Sequence, residues 1–399
     1  MRKGWRRVQM ADALALEVCR ERLVDGQQYP IIGVLAYGRG LLRRDPVSID
    51  STSYRDLNRV LPDRLIFSKL KAFEGAIAVT PIDLPTSYAS NEFPTFRCTE
   101  QILPSYLRLV TRQPAMWESM SSLSKGIGGR RERLHPTDFL ALPLLLPPLD
   151  EQHRIVDLAA ALDDVHDASE SAIHTLRNSY LTLLKAEFSA VARTAPFVPL
   201  SSVSTARLGK MLNKAMKTGT GEYPYVRNAN VQWDRIDLRE LHTMFFTEAE
   251  RKEFSLRRGD VLVCEGGEAG RTAVMDADVD GVFFQKAIHR VRCSPSLLPR
   301  YLMHFMRYSA SSGGLADLSS SLTISHLTGE KLRTLAIPVP DITVQGELVS
   351  LLDSLCETVR LTEAHQRQSD RVRSHVVAAL LSGEHEISAT YDEMLKVVA

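Results

Sequence analysis

Two short stretches, Leu103-Pro-Ser-Tyr-Leu107 and Leu298-Pro-Arg-Tyr-Leu302, match at four of five positions and stand 195 residues apart. The same offset relates Gly75 with Ala78-Val79 to Gly270 with Ala273-Val274, Phe96-Arg-Cys98 to Val291-Arg-Cys293, and Leu123-Ser124 to Leu318-Ser319. Tyr29-Pro30 and Tyr223-Pro224 agree within a residue or two, as do Asp63 and Asp260. Any one match is cheap. A near-constant offset along a whole half indicates duplication of one unit, at a period far longer than a solenoid repeat.

Within each half the periodicity changes once. Arg64–Ser68, Ala76–Thr80, Val261–Glu265 and Thr272–Met275 are apolar or β-branched runs flanked by Gly, Pro and Asp, the pattern of short strands. Leu142-Pro-Leu-Leu-Leu-Pro-Pro148 and Ile337-Pro-Val-Pro340 come next, where proline forbids a continuing helix. Beyond them apolar residues recur in three- and four-residue steps. Ile155, Leu158, Leu162, Val165, Ser169, Ala172, Leu176, Ser179 and Leu183 form one seam. Leu348, Leu352, Leu355, Val359, Thr362, Ser369, Val372, Val376 and Ala379 form the other. Some 35 residues of helix span roughly 50 Å. The alternative is that each seam packs on its own globular domain. The expected fold is α+β: globular domains at 1–148 and 195–338, long helices at 149–194 and 339–384, and a tail at 385–399. The helices are expected to pair as an antiparallel intramolecular coiled coil, giving a pseudo-two-fold repeat.

A chain of 399 residues, 44% hydrophobic and 24% charged, suits two or three soluble domains. No apolar run approaches the ~18 residues of a membrane span, and no apolar signal core comes after the basic start, so the cytoplasm is the expected compartment. Cys19, Cys98, Cys264, Cys293 and Cys356 are scattered without zinc spacing, and no metal or other cofactor is expected. The net charge of +1 argues little against nucleic acid, because distribution matters more than sum. Basic clusters stand at Arg39, Arg43 and Arg44, at Arg130, Arg131 and Arg133, and at Lys210, Lys214 and Lys217.

Catalytic patterns are absent. No phosphate loop, H-E-x-x-H, G-x-S-x-G or Asn-Pro-Pro-aromatic methyltransferase motif occurs. The nearest nuclease-like group is Asp260 with Glu265 and Glu268, carboxylates able to hold Mg²⁺ but without a Glu-x-Lys after them.

The order of globular part, proline punctuation and long helix, given twice, resembles the specificity subunit of type I restriction-modification systems. The resemblance covers essentially the whole chain. Leu146-Pro-Pro-Leu-Asp-Glu-Gln-His-Arg-Ile-Val156 looks like the start of the family's first spacer helix; Val339-Pro-Asp-Ile-Thr-Val-Gln-Gly-Glu-Leu-Val349 aligns with it, Gln152 opposite Gln345. Arg258-Gly-Asp-Val-Leu-Val263 resembles the family's strand start, with Pro62-Asp-Arg-Leu-Ile-Phe67 as its first-half counterpart. The resemblance implies a non-catalytic subunit with two target-recognition domains, reading an asymmetric bipartite site on double-stranded DNA. Its helices would set the gap between half-sites and dock two adenine methyltransferase subunits, which recruit restriction/translocase subunits. The alternatives are a Mg²⁺-dependent nuclease of unfamiliar motif, or a coiled-coil scaffold that binds only protein.

Several residue types suit base or phosphate contacts. Arg227, Asn228, Asn230 and Gln232 crowd into Arg227-Asn-Ala-Asn-Val-Gln-Trp233; Arg suits guanine, Asn and Gln suit adenine. Asn228 and Asn230 equally suit a loop that satisfies its own backbone. Arg271 ends Gly266-Gly-Glu-Ala-Gly-Arg271, a stretch that also suits a plain hairpin. Gln285, Lys286 and His289 belong to Phe284-Gln-Lys-Ala-Ile-His-Arg290, which resembles a recurrent target-recognition motif, and Lys210 and Lys214 suit a phosphate-gripping loop. In the first half the candidates are Arg39 in Tyr37-Gly-Arg-Gly40, Lys69 and Lys71, Asn91 placed opposite Gln285, and Arg130 with Arg131.

Overall fold

The computed structural model describes residues 2, 4–124, 133–211, 222–315, 326–388 and 391. The chain divides into two compact units, Met1–Ala168 with Gln366–Ala399, and Ser169–His365.

Unit 1 is built on a four-stranded antiparallel sheet in the order Leu14–Leu16, Thr95–Cys98, Arg64–Phe67, Ile77–Val79. Strand residues point alternately to opposite faces. Leu65, Phe67, Ile77 and Val79 accordingly enter one core with Tyr106, Phe139 and the long helices, while Ile66, Ala76 and Ala78 enter another with Ile32 and Ala89. With both faces covered, the strands read as continuous apolar runs. A five-stranded sheet adjoins them, in the order Cys19–Arg22, Asp56–Val60, Ser87–Ala89, Tyr29–Val34, Leu41–Val47.

Unit 2 repeats this plan. Its sheet runs Ser204–Leu208, Ile288–Cys293, Val261–Cys264, Thr272–Val274, the same order at equivalent places. Val261 and Val263 face the helices, and Leu262 and Cys264 face Phe246, Phe283 and Phe284. Each unit also pairs its first strand with the proline-bearing one, Arg6–Gln9 with Pro143–Leu146 and Phe197–Pro199 with Ala336–Pro338.

Four helices complete the frame of the two units: α1 (Pro104–Thr111), α2 (Leu149–Thr194), α3 (Pro299–Ser311) and α4 (Ile342–Leu381). The Leu-Pro-x-Tyr-Leu repeats start α1 and α3, with proline in the first turn, where its missing N–H costs nothing. Each start is tied to a long helix by a buried glutamine. Gln152 accepts from Leu103 N–H at 2.8 Å and donates to Gln101 and Pro147 carbonyls, both at 2.9 Å. Gln345 accepts from Leu298 N–H and donates to Ser296 and Pro340 carbonyls, all at 2.9 Å. The duplication therefore extends to individual hydrogen bonds.

Sheet register adjusts two sequence equivalences. Phe96 pairs with Leu65 and Val291 with Val261, which sets Asp63 opposite Gly259 and not opposite Asp260. Both occupy a left-handed conformation, φ 52° and 86°, which Asp tolerates better than most side chains. The turn survives the loss of glycine for that reason. Lys69 N–H to Glu92 O and Glu265 N–H to Ala287 O are equivalent bonds, so Asn91 stands opposite Lys286, and Ser90 opposite Gln285.

The helix seams enter the globular cores only at their ends. Ile155 and Ala159 of α2 and Val377, Leu380 and Leu381 of α4 belong to the unit 1 core; Leu184, Phe188, Val191, Leu348 and Leu352 belong to that of unit 2. The seam residues Val165 and Val372 are each 51% exposed, whereas Ile173, off the seam, is buried. Polar pairs join the helices instead. In unit 1 these are Asp163 with Arg373 and His166 with Asp370 (2.7 Å); in unit 2, Arg177 with Glu363 (2.6 Å). Partner numbers fall on α4 as they rise on α2, so the paired segments are antiparallel. Unit 2 adds a polar lock: Asp353 of α4 accepts from Arg300 (2.8 Å) and His304 (2.7 Å) of α3, and His304 contacts the Tyr180 hydroxyl of α2 at 3.0 Å. Burial opposes ionisation of Asp353, yet these hydrogen bonds hold its carboxyl below the usual range.

Candidate nucleic-acid interface

In unit 2 the loop after strand Glu222–Val226 rests on the turn joining Val261–Cys264 to Thr272–Val274. Asn228 Nδ2 donates to Gly266 O, and Arg271 Nη2 returns a bond to Asn228 O, both at 2.8 Å. Gly270, at φ 84°, permits the close turn; a Cβ there would stand 2.3 Å from Leu315. Gln285 joins the junction through its N–H to Val226 O at 3.2 Å. Four of the eight buried side-chain polar atoms without a hydrogen-bond partner among the described residues lie here: Arg227 Nε, Asn228 Oδ1, Arg271 Nε and Gln285 Oε1. Such atoms each cost about 1–3 kcal/mol and concentrate where strain or a ligand explains them. The junction therefore combines guanidinium and amide groups, the donors and acceptors of base-edge contacts. The imidazole of His326, which belongs to none of the sequence candidates, lies over Gly266, 3.0 Å from where a Cβ would be. It is separated by sixty residues from the turn it covers, and no local pattern marks it.

Three candidates prove to be internal. Lys210 is only 5% exposed; its Nζ donates to Phe245 O (2.7 Å) and Glu250 (2.6 Å) and lies 4.9 Å from the Phe246 ring centroid. That ammonium is spent inside the fold and does not grip phosphate. Asn230 is buried, accepting from Arg227 N–H and donating to Asp237 and Glu240 carbonyls, so it builds its own loop. His289 is 1% exposed with Nε2 3.0 Å from Leu327 O, and burial lowers its pKa. It is a core histidine. Gln232 donates to Ala229 O at 3.0 Å, and Lys286 is exposed. Lys214 lies outside the described residues, as do Lys217, Arg130 and Arg131.

Unit 1 forms a similar junction through backbone hydrogen bonds. Tyr37 N–H donates to Glu74 O at 2.8 Å and Gly38 N–H to Gly75 O at 3.0 Å, laying the loop after Tyr29–Val34 on the turn after Arg64–Phe67. Arg39, Lys71 and Asn91 are exposed, and Lys69 is half-buried, 4.0 Å from Glu92. Lys71 pairs with Glu74 at 3.3 Å. Arg43 and Arg44 project from the exposed edge strand Leu41–Val47.

The carboxylates of the nuclease alternative are not assembled. Asp260 is buried and closed by Arg292 (2.6 and 3.1 Å) and Arg257 N–H (2.9 Å), while Glu268 accepts from Trp233 Nε1 at 2.5 Å. Among the described residues, they do not form a group with metal-ligand spacing.

Comparison with known proteins agrees with this architecture. Residues 195–369 match the family described as type I restriction modification DNA specificity domain. A putative type I restriction enzyme specificity subunit of Haemophilus influenzae is 24% identical over 234 residues, covering 57% of this chain; the chain spans 59% of that relative's length. A solved chain from a study of assembly and conformational transition in the type I system is similar at TM-score 0.61 and 17% identity, covering 95% of this chain and 98% of its own. The HsdS subunit from Thermoanaerobacter tengcongensis is similar at TM-score 0.52 and 17% identity, covering 96% and 98%. No helix among the described residues is long and apolar enough to cross a membrane. Residues 195–369 thus match the type I restriction modification DNA specificity domain, and the chain as a whole is similar in fold to the HsdS subunit.

Proposed function

We propose that this chain recognises an asymmetric bipartite target on double-stranded DNA, each unit reading one half-site, and directs adenine methyltransferase and restriction subunits to it without catalysing a reaction itself. The observation that supports this reading is one loop-on-turn junction that occurs in both units and carries dissimilar side chains: Asn228, Arg271 and Gln285 in unit 2, Tyr37, Arg39 and Lys71 in unit 1. Equivalent folds dock in equivalent ways, while unlike side chains select unlike bases. Two readers joined by continuous helix also reject wrongly spaced half-sites by geometry. The polar middle of α2 and α4, with Val165 and Val372 exposed, is the expected methyltransferase docking face.

Methylome sequencing of cells with and without the gene tests the proposal. Loss of one gapped, adenine-methylated motif with unlike halves is expected. An unchanged methylome in cells that methylate adenine through the partner subunits overturns it, and a palindromic motif overturns the assignment of different readers.

A further inference from the structure

The junction that unit 2 lines with amides and guanidinium carries exposed apolar groups in unit 1. Tyr37 is 59% exposed, Leu70 41% and Phe73 36%, all on the loop and turn held together by the Tyr37–Glu74 and Gly38–Gly75 hydrogen bonds. Single exposed apolar residues are ordinary on a protein surface. These three share one loop-on-turn junction, and the backbone at Tyr37 is strained. Tyr37 has φ 58°, a left-handed conformation that a bulky side chain rarely adopts. Trp117 pins that conformation. It seats against both turn glycines, so closely that a Cβ on Gly38 or Gly75 would stand 2.9 or 2.4 Å from its side chain. Its Nε1 donates to Thr111 O at 2.8 Å, and its ring meets Tyr37 edge-on at 6.0 Å.

Cations surround this patch. Arg39 and Arg112 are exposed, and Lys69 and Lys71 lie on the turn itself, opposed by Glu74 and Glu92. A rigidly presented ring inside a cationic excess matches one surface in particular, a base step flanked by phosphates. Proteins that kink DNA insert apolar side chains between bases while cations hold the backbone. Building on the proposed DNA-reading function, we infer that Tyr37, held by Trp117, is a wedge that unstacks one base step of the first half-site. Unit 1 then reads step deformability, which favours flexible pyrimidine–purine steps, where unit 2 reads base edges.

The test uses the full chain assembled with its adenine methyltransferase subunits, on duplexes bearing the motif defined by methylome sequencing. 2-Aminopurine is placed at each position of both half-sites in turn. At one step of one half-site, fluorescence should rise several-fold on binding; the rise should persist in Tyr37→Phe and be absent in Tyr37→Gly. Glycine adopts this φ without strain, so Tyr37→Gly removes the ring while easing the turn. The methylated adenine, which methyltransferases flip out of the stack, should respond in every variant and serves as the internal control. Motif binding with no Tyr37-dependent step overturns the wedge and leaves the DNA reader intact. A wild-type complex that does not bind the motif overturns both.

Discussion

Lys210 and Lys286 show how little residue type says about role. Both are sequence candidates for DNA contact, yet one is buried against Glu250 and two phenylalanines and the other is exposed. Lys210→Met should therefore lower stability by about 2–3 kcal/mol, because it strands a partly buried carboxylate, and leave the salt dependence of DNA binding unchanged. Lys286→Ala should leave the denaturation midpoint in place and reduce the slope of log affinity against log salt by about one. Urea titration and binding isotherms at several salt concentrations separate the two effects. Neither assignment was readable from sequence. Lys210 reaches Glu250 across forty positions of chain, and only the sheet brings them together.

At the scale of elements, the clearest feature is the glutamine that fastens each long helix to the turn before α1 or α3. Gln345→Ala would leave Leu298 N–H and the carbonyls of Ser296 and Pro340 without partners in a buried corner. The expected cost is about 2–4 kcal/mol, read as a lower denaturant midpoint. Gln152→Ala should behave alike in unit 1, since its three bonds are equivalent. The pairing of these glutamines was legible from the repeat. The character of the helix seam was legible only in part. Three- and four-residue spacing marks a helix face, but what covers that face depends on whether a globular core or only another helix stands opposite. Here the cores cover the ends, and polar pairs such as His166–Asp370 and Arg177–Glu363 join the helices between them.

For the whole molecule, independence of the two readers is the central expectation. Replacing residues 197–338 by another recognition domain should change one half of the methylated motif and leave the other half and the gap unchanged, as read by methylome sequencing. A change in both halves would mean that the units do not read separately. The duplication behind this expectation came from the sequence alone, because a constant offset, turn residues and period-two apolar runs are local signals that survive divergence. The strands around Val261–Cys264 and the helix Leu149–Thr194 arise from the same local rules. Tertiary structure alone decided which polar side chains remain available. Burial and hydrogen-bond satisfaction are set by residues distant in the chain: Leu327 across from His289, Phe245 above Lys210, Glu74 beneath Tyr37. Position in sequence carries no record of such neighbours until the sheets assemble.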